Sequence, residues 1–156
     1  PFEGGSDHTP FLKANIPGLL LWHFTDQFYH TDNDRIDKVS QETLKNVGTA
    51  ALVSGLELVN AKFDFALNQI SNLERRAIER LEEEHQLSLK AIKTGKKIED
   101  EIIILKTWED WYKKAISTVN DVVPKTDDTV SDAIKKAHLN ITTKSNEFTK
   151  SLRETK

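Results

Sequence analysis

The residue types able to do chemistry in this chain crowd into its first 40 positions. Tyr29 and His30 are adjacent, Thr31 follows, and Asp32, Asp34 and Asp37 come soon after. A neutral imidazole with carboxylates close enough to orient it is what a zinc site needs, both among its ligands and around them. The same aspartates also suit a solvated loop closed by Asx-turns, and on residue types alone the two readings stand level. Further upstream, Ser6, Asp7 and His8 have the composition of a serine hydrolase triad. Three consecutive loop residues point in different directions, however, and cannot converge on one proton path.

Something must hold these residues in place. Gly4 and Gly5 open a loop, and Pro10 suits the first turn of a short helix over residues 9–15. Asn15-Ile16-Pro17-Gly18 breaks that helix, because the residue before a proline avoids helical angles. The nearly continuous apolar run from Leu19 to Phe24 has the length and pattern of a strand covered on both faces of an α/β sheet. Residues 25–39 are polar, aspartate-rich and without period. They read as a loop leaving the end of that strand, where open α/β sheets hold their sites. Ser40 is a helix N-cap with Glu42 in the first turn. After it Leu44, Val47, Ala51, Leu52, Leu56 and Val59 recur at helical spacing, with Gly48 and Gly55 allowing close packing on a sheet. This first region closes near residue 62.

Residues 63–156 change to long charged amphipathic helices. The first is expected over about 63–93, with Phe63, Leu67, Ile70, Ala77 and Leu81 on one stripe and Thr94-Gly95 as its stop. The second, about 97–123, carries Ile98, Ile102, Leu105, Tyr112, Ile116, Val119 and Val123, interrupted by Glu109 and halted by Pro124. A third, capped by Asp127 or Asp128, places Val130, Ile134, Ala137, Ile141, Phe148 and Leu152 at heptad spacing. Together they suit an antiparallel bundle or hairpin. His23 is expected as a packed core residue, and His85 and His138 as solvated ones on charged helix faces. Trp108, Trp111 and Tyr112 are expected to pack in the core, with a docking surface as the alternative. Asn140-Ile141-Thr142 is a glycosylation sequon of little weight in mid-helix.

Composition sets bounds. The 156 residues allow one sizeable core or two small ones, and 37% apolar with 30% charged residues is the balance of a soluble, helix-rich globular chain. A net charge of -3, with no cluster of Lys and Arg free of acids, argues against a nucleic-acid partner. Zero cysteine removes disulfides, thiolate metal sites and cysteine nucleophiles together and leaves the compartment open. No apolar run reaches the roughly 18 residues of a membrane span. The chain starts at Pro1 in mid-motif and contains no methionine, which leads us to expect a C-terminal piece of a longer protein.

In combination, GGSDHTPF (residues 4–11), IPG before the apolar run, and YHTDND (residues 29–34) after it resemble the C-terminal signature of the M28 family of zinc aminopeptidases. The resemblance covers roughly residues 3–60 and not the later helices. Gly18 stands where the family usually has Ala, a change expected to be neutral. The fold implied is the last strand and helix of a zinc-peptidase-like α/β sheet domain (residues 1–62), followed by an all-α extension (residues 63–156), with the chain as a whole mostly helical. His30 would be a ligand to one of two zinc ions. Tyr29 matches a tyrosine that hydrogen-bonds the oxyanion, where a phenol beside a Lewis acid stabilises charge that develops in the transition state. Ser6, Asp7 and His8 would lie at the rim of the site, and Asp34 would either brace the loop that presents His30 or serve as a surface turn residue.

The implied substrate is a peptide trimmed from its N-terminus, and the implied location is the periplasm or outside the cell. In this family the bridging carboxylate, the other ligands and the general base precede the segment matched here, so the chain is expected to be inactive alone. Two alternatives stand beside the peptidase. One is a glutaminyl-cyclase-like zinc acyltransferase, a group that tends to carry Trp before the ligand His and Asp where this chain has Ser6; Tyr29 favours the peptidase. The other is a non-catalytic interaction module of the same fold. The helical extension is left with three roles: packing back on the catalytic domain, acting as a lid, or making a homo-oligomer.

Overall fold

The computed structural model describes residues 6–22, 25–123 and 128–155, and all regular structure among them is helical. The helices are α1 (Thr9–Lys13), α2 (Gln41–Val59), α3 (Phe63–Lys93), α4 (Ile98–Ser117) and α5 (Asp128–Glu154), with single 3-10 segments at Ile36–Lys38 and Thr118–Val122. The chain divides into two units, Pro1–Leu56 and Glu57–Lys156.

In the first unit, Pro10 lies in the first turn of α1 as its fixed φ favours. The stop is a Schellman motif. Asn15 adopts φ +57, its N–H donates to Leu12 O at 3.1 Å, and the Ile16 N–H donates to Phe11 O at 2.9 Å. Asparagine tolerates this left-handed conformation better than most residues, and Pro17 prevents any resumption.

The apolar run that follows departs from expectation. Leu19 to Trp22 have no regular structure and are exposed, so the strand is absent among the described residues; His23 and Phe24, and with them the expected core role of His23, lie outside these. The physical reason is that a strand exists only by pairing its backbone groups with a neighbour, and no described segment offers one.

α2 begins where its cap requires. Ser40 Oγ accepts the Thr43 N–H at 3.2 Å and Ser40 O accepts that of Leu44 at 2.9 Å. Its apolar face is uncovered, with Leu44 65% and Leu52 64% exposed, and a Cβ added at Gly48 or Gly55 would meet nothing within 4 Å. The close packing on a sheet that these glycines suggested is thus not made here. No described residue of this unit is buried.

The second unit is a three-helix bundle. Hydrogen bonds fix its topology. Glu74 pairs with Asn140 and His85 with Ser151, so α3 and α5 run parallel; Lys106 pairs with Asn146, Glu109 with Thr142 and His138 with Lys113 O, so α4 runs antiparallel to α5 and hence to α3. Ala66, Ile70, Ala77 and Leu81 of α3, Leu105 and Ile116 of α4, and Val130, Ile134, Ala137, Ile141 and Leu152 of α5 form the core with Val119 and Val123. Phe63, Leu67, Ile98, Ile102, Tyr112 and Phe148 are partly buried against it. α3 stops through a second Schellman motif, with Gly95 at φ +94 and the Lys96 N–H donating to Ala91 O at 3.1 Å.

Four details differ from expectation. The second long helix is α-helical only to Ser117 and tightens into a 3-10 segment thereafter, while Pro124 and Asp127 lie outside the described residues. Glu109, which seemed to interrupt the apolar stripe, is itself buried at 5% exposure. It is accommodated because Lys106 Nζ donates to Oε2 and Thr142 Oγ1 to Oε1, both at 2.8 Å, with Lys113 Nζ 3.6 Å away. His85 is also buried, stacked on Phe148 at 4.4 Å with Nε2 3.1 Å from Ser151 Oγ. His138 is half-buried, its Nε2–H donating to Lys113 O at 2.9 Å.

Candidate active-site segment

The segment from Thr25 to Val39 is shaped by short-range hydrogen bonds. Asp26 Oδ1 accepts the N–H of Phe28 at 2.8 Å and that of Tyr29 at 3.2 Å, the Asx geometry that turns a backbone without a helix or sheet. Thr31 donates to Phe28 O from its amide at 2.9 Å and from its hydroxyl at 2.6 Å. The Asp34 N–H closes the next turn on Thr31 O at 3.1 Å, and Arg35 Nε donates to Asp32 O at 3.1 Å. Lys38 lies 2.7 Å from Asp37 and 5.3 Å over the Phe28 ring.

These turns force His30 to φ +60, a left-handed conformation uncommon for a residue with a side chain. Such a conformation costs on the order of 1 kcal/mol and persists only where the surroundings over-determine it. The imidazole stacks on the Tyr29 ring at 3.9 Å, and Trp22 meets Tyr29 edge-on at 5.3 Å. Tyr29 is 47% exposed, so this aromatic column stands on the surface rather than in a core. Asp26 and Trp22 are the parts that residue-type reasoning missed. The Asx spacing from Asp26 to Phe28 was the available signal for the first; nothing local announces the second.

The Ser6 to His8 loop is separately built. The Thr9 N–H donates to Ser6 O at 2.8 Å, and the Ser6 N–H donates to Thr9 Oγ1 at 3.2 Å. Gly18 approaches this loop closely: a Cβ there would come 3.3 Å from His8 Cβ and 3.5 Å from His8 O. Alanine at 18, expected to be neutral, would therefore push His8 by a few tenths of an ångström. Ser6 and Asp7 line a shallow depression together with Thr9, Pro10 and Lys13. A second concavity, of about 430 Å³, lies between the Thr25–Val39 segment and the start of α2, lined by Asp26, Phe28, Asp34, Lys38, Leu44 and Val47 among others. Asp34 faces it; Tyr29 and His30 do not line it.

As to metal, no group of three or more His, Asp or Glu side chains converges among the described residues. His30 is the one ligand the resemblance assigns, and the described residues do not complete a three-ligand group around it. They do not assemble a two-zinc site by themselves.

The family model for peptidase family M28 matches residues 2–54, which include the Ser6–His8 loop, Tyr29, His30 and the first part of α2. No curated protein and no solved structure matches the chain. The similarity therefore covers the first unit and stops short of the helical bundle, and it points to a peptidase-related, metallopeptidase-type chain.

Proposed function

We propose that this chain carries one wall of the active site of a zinc-dependent aminopeptidase of the M28 type, as the C-terminal part of a longer protein. The finding that carries the reading is the M28 match over residues 2–54, which spans both residues assigned a role. In this reading His30 supplies one zinc ligand and Tyr29 a phenolic hydrogen bond to the oxyanion. The strained, turn-enforced backbone at His30 and the exposed stack with Tyr29 support it, since conformational strain collects at functional positions. The apolar run from Leu19 and the bare face of α2 belong, in the intact protein, against the rest of an α/β sheet domain. We place that protein in the periplasm or outside the cell, with a peptide as substrate.

The test uses the longer protein and two readouts. Against aminoacyl-4-nitroanilides, Tyr29→Phe is expected to lower kcat about 100-fold while zinc content holds. His30→Ala is expected to lower bound zinc as well as activity, and a peptide with N-terminal glutamine should yield free glutamine rather than pyroglutamate. Full activity and unchanged zinc in His30→Ala would end the proposal.

A further inference from the structure

We propose that the outer face of α4 is a self-association surface, pairing antiparallel with α4 of a second copy of this chain. The described part of the bundle leaves Leu87, Ile103, Ile104, Trp111 and Leu139 exposed, and three of these five lie on α4. Asp100, Ile103, Thr107, Trp111 and Lys114 step by three and four, so they share one stripe of the helix. That stripe is opposite the side on which Glu101, Leu105, Glu109 and Ile116 are buried. Ile103 is 63% and Trp111 55% exposed, so two large apolar side chains stand open on the stripe, outside the core and between its charged ends.

The face is also rigid. Trp111 rests edge-on against Tyr112 at 4.8 Å and Trp108 at 6.2 Å. Trp108 is held in turn by Arg80 over its ring at 4.3 Å and by donation from Nε1 to Glu84 at 3.2 Å. An aromatic anchor fixed before binding loses little entropy on docking. Thr107, at the middle of the stripe, donates its hydroxyl to Ile103 O at 2.8 Å, so its polar group is satisfied within its own helix.

Charge selects the occupant and its direction. Asp100 lies at one end of the stripe and Lys114 at the other, both exposed. An antiparallel pair centred on Thr107 sets Asp100 against Lys114 of the second copy and Ile103 against its Trp111, each contact made twice, as an isologous two-fold interface requires. A parallel pair would set like charges together at both ends. The surface complements itself in one orientation only. A single helix pair buries an area at the small end of specific interfaces, so the dimer should form and dissociate with concentration.

Sedimentation equilibrium of the whole chain over about 1–100 µM tests this. The expected result is a passage from one chain to two across that range. Trp111→Glu should weaken the dimer at least 100-fold, as loss of a central aromatic anchor does. Asp100→Lys and Lys114→Asp should each weaken it about 10-fold, and the two together should restore it, because the reversed charges again meet their opposites. If Trp111→Glu lowers helical content, the charge-swap pair decides alone. A chain that stays monomeric throughout overturns the proposal, whether the face is open or covered by another segment of its own chain. So does a dimer indifferent to Trp111→Glu, which would rest on another surface such as α2, or a double swap that fails to recover.

Discussion

At the scale of single residues, the chain concentrates its unusual chemistry in two places. One is the left-handed His30 stacked on Tyr29; the other is Glu109, a carboxylate inside the α4–α5 seam. Burial alone would raise the Glu109 pKa, but the Lys106 ammonium and the Thr142 hydroxyl outweigh it and hold the carboxyl below its ordinary value of 4.5. Lys113 closes the cluster by donating to Thr142 Oγ1 at 3.1 Å, and Lys106 reaches Asn146 Oδ1 at 2.8 Å. One acidic side chain thus ties two turns of α4 to two turns of α5. Glu109→Ala is expected to cost about 2 kcal/mol, because hydrogen bonds to a charged group are lost together. A shift of the urea midpoint at constant slope would register it, and an unchanged midpoint would contradict it. In sequence Glu109 read as a flaw in an apolar stripe, since nothing local says which side chains the next helix will offer.

Among the elements, those with strong local signals formed where their residues asked. Ser40 capped α2, Asn15 and Gly95 stopped α1 and α3, and the three- and four-residue steps laid out α3, α4 and α5. The stop at Gly95 is the most sensitive to substitution. At φ +94 any Cβ is strained, although there is open space around it. Gly95→Ala is expected to destabilise the bundle by about 1 kcal/mol, with Gly95→Asn milder because asparagine tolerates the left-handed region. Thermal melts followed by far-ultraviolet circular dichroism give the ranking, and alanine more stable than glycine would refute the capping account. The element that failed is the strand. Its six-residue apolar run was legible as a strand, but a strand is a relation between two segments, and only one is present among the described residues.

For the whole molecule, stability resides in the second unit, because every buried residue among those described lies there. Its dependence on pH follows from the two buried groups with shifted pKa, His85 and Glu109, since the shifted Glu79 and Lys135 are solvent-screened. Burial, reinforced by the charge of Lys144 and opposed by that of Glu82, lowers the His85 pKa below 6.5. The unfolded chain therefore takes up that proton first, and stability present above pH 6.5 is lost as pH falls toward the lower folded value. The depressed Glu109 adds a second loss on the same side, beginning below 4.5. We expect the melting temperature to be level near pH 7–8 and to fall in two stages on acidification. His85→Gln should remove the first stage and leave the second, and a wild-type curve that rises between pH 7 and 5.5 would have the sign wrong.

By itself the sequence determined what short-range physics controls: helix caps and stops, the periods of three amphipathic helices, and a spaced set of motifs that the M28 match over residues 2–54 also covers. Only the tertiary structure decided matters of pairing. It buried Glu109 and His85 where charge suggested solvent, bringing to each a partner from α5, dozens of residues distant in the chain. It stacked Tyr29 against His30 and Trp22, and it left Trp111 outside a core that its neighbours Trp108 and Tyr112 help to close. Caps and periods are written in a few adjacent residues. Burial, stacking and exposure depend on which distant surfaces meet.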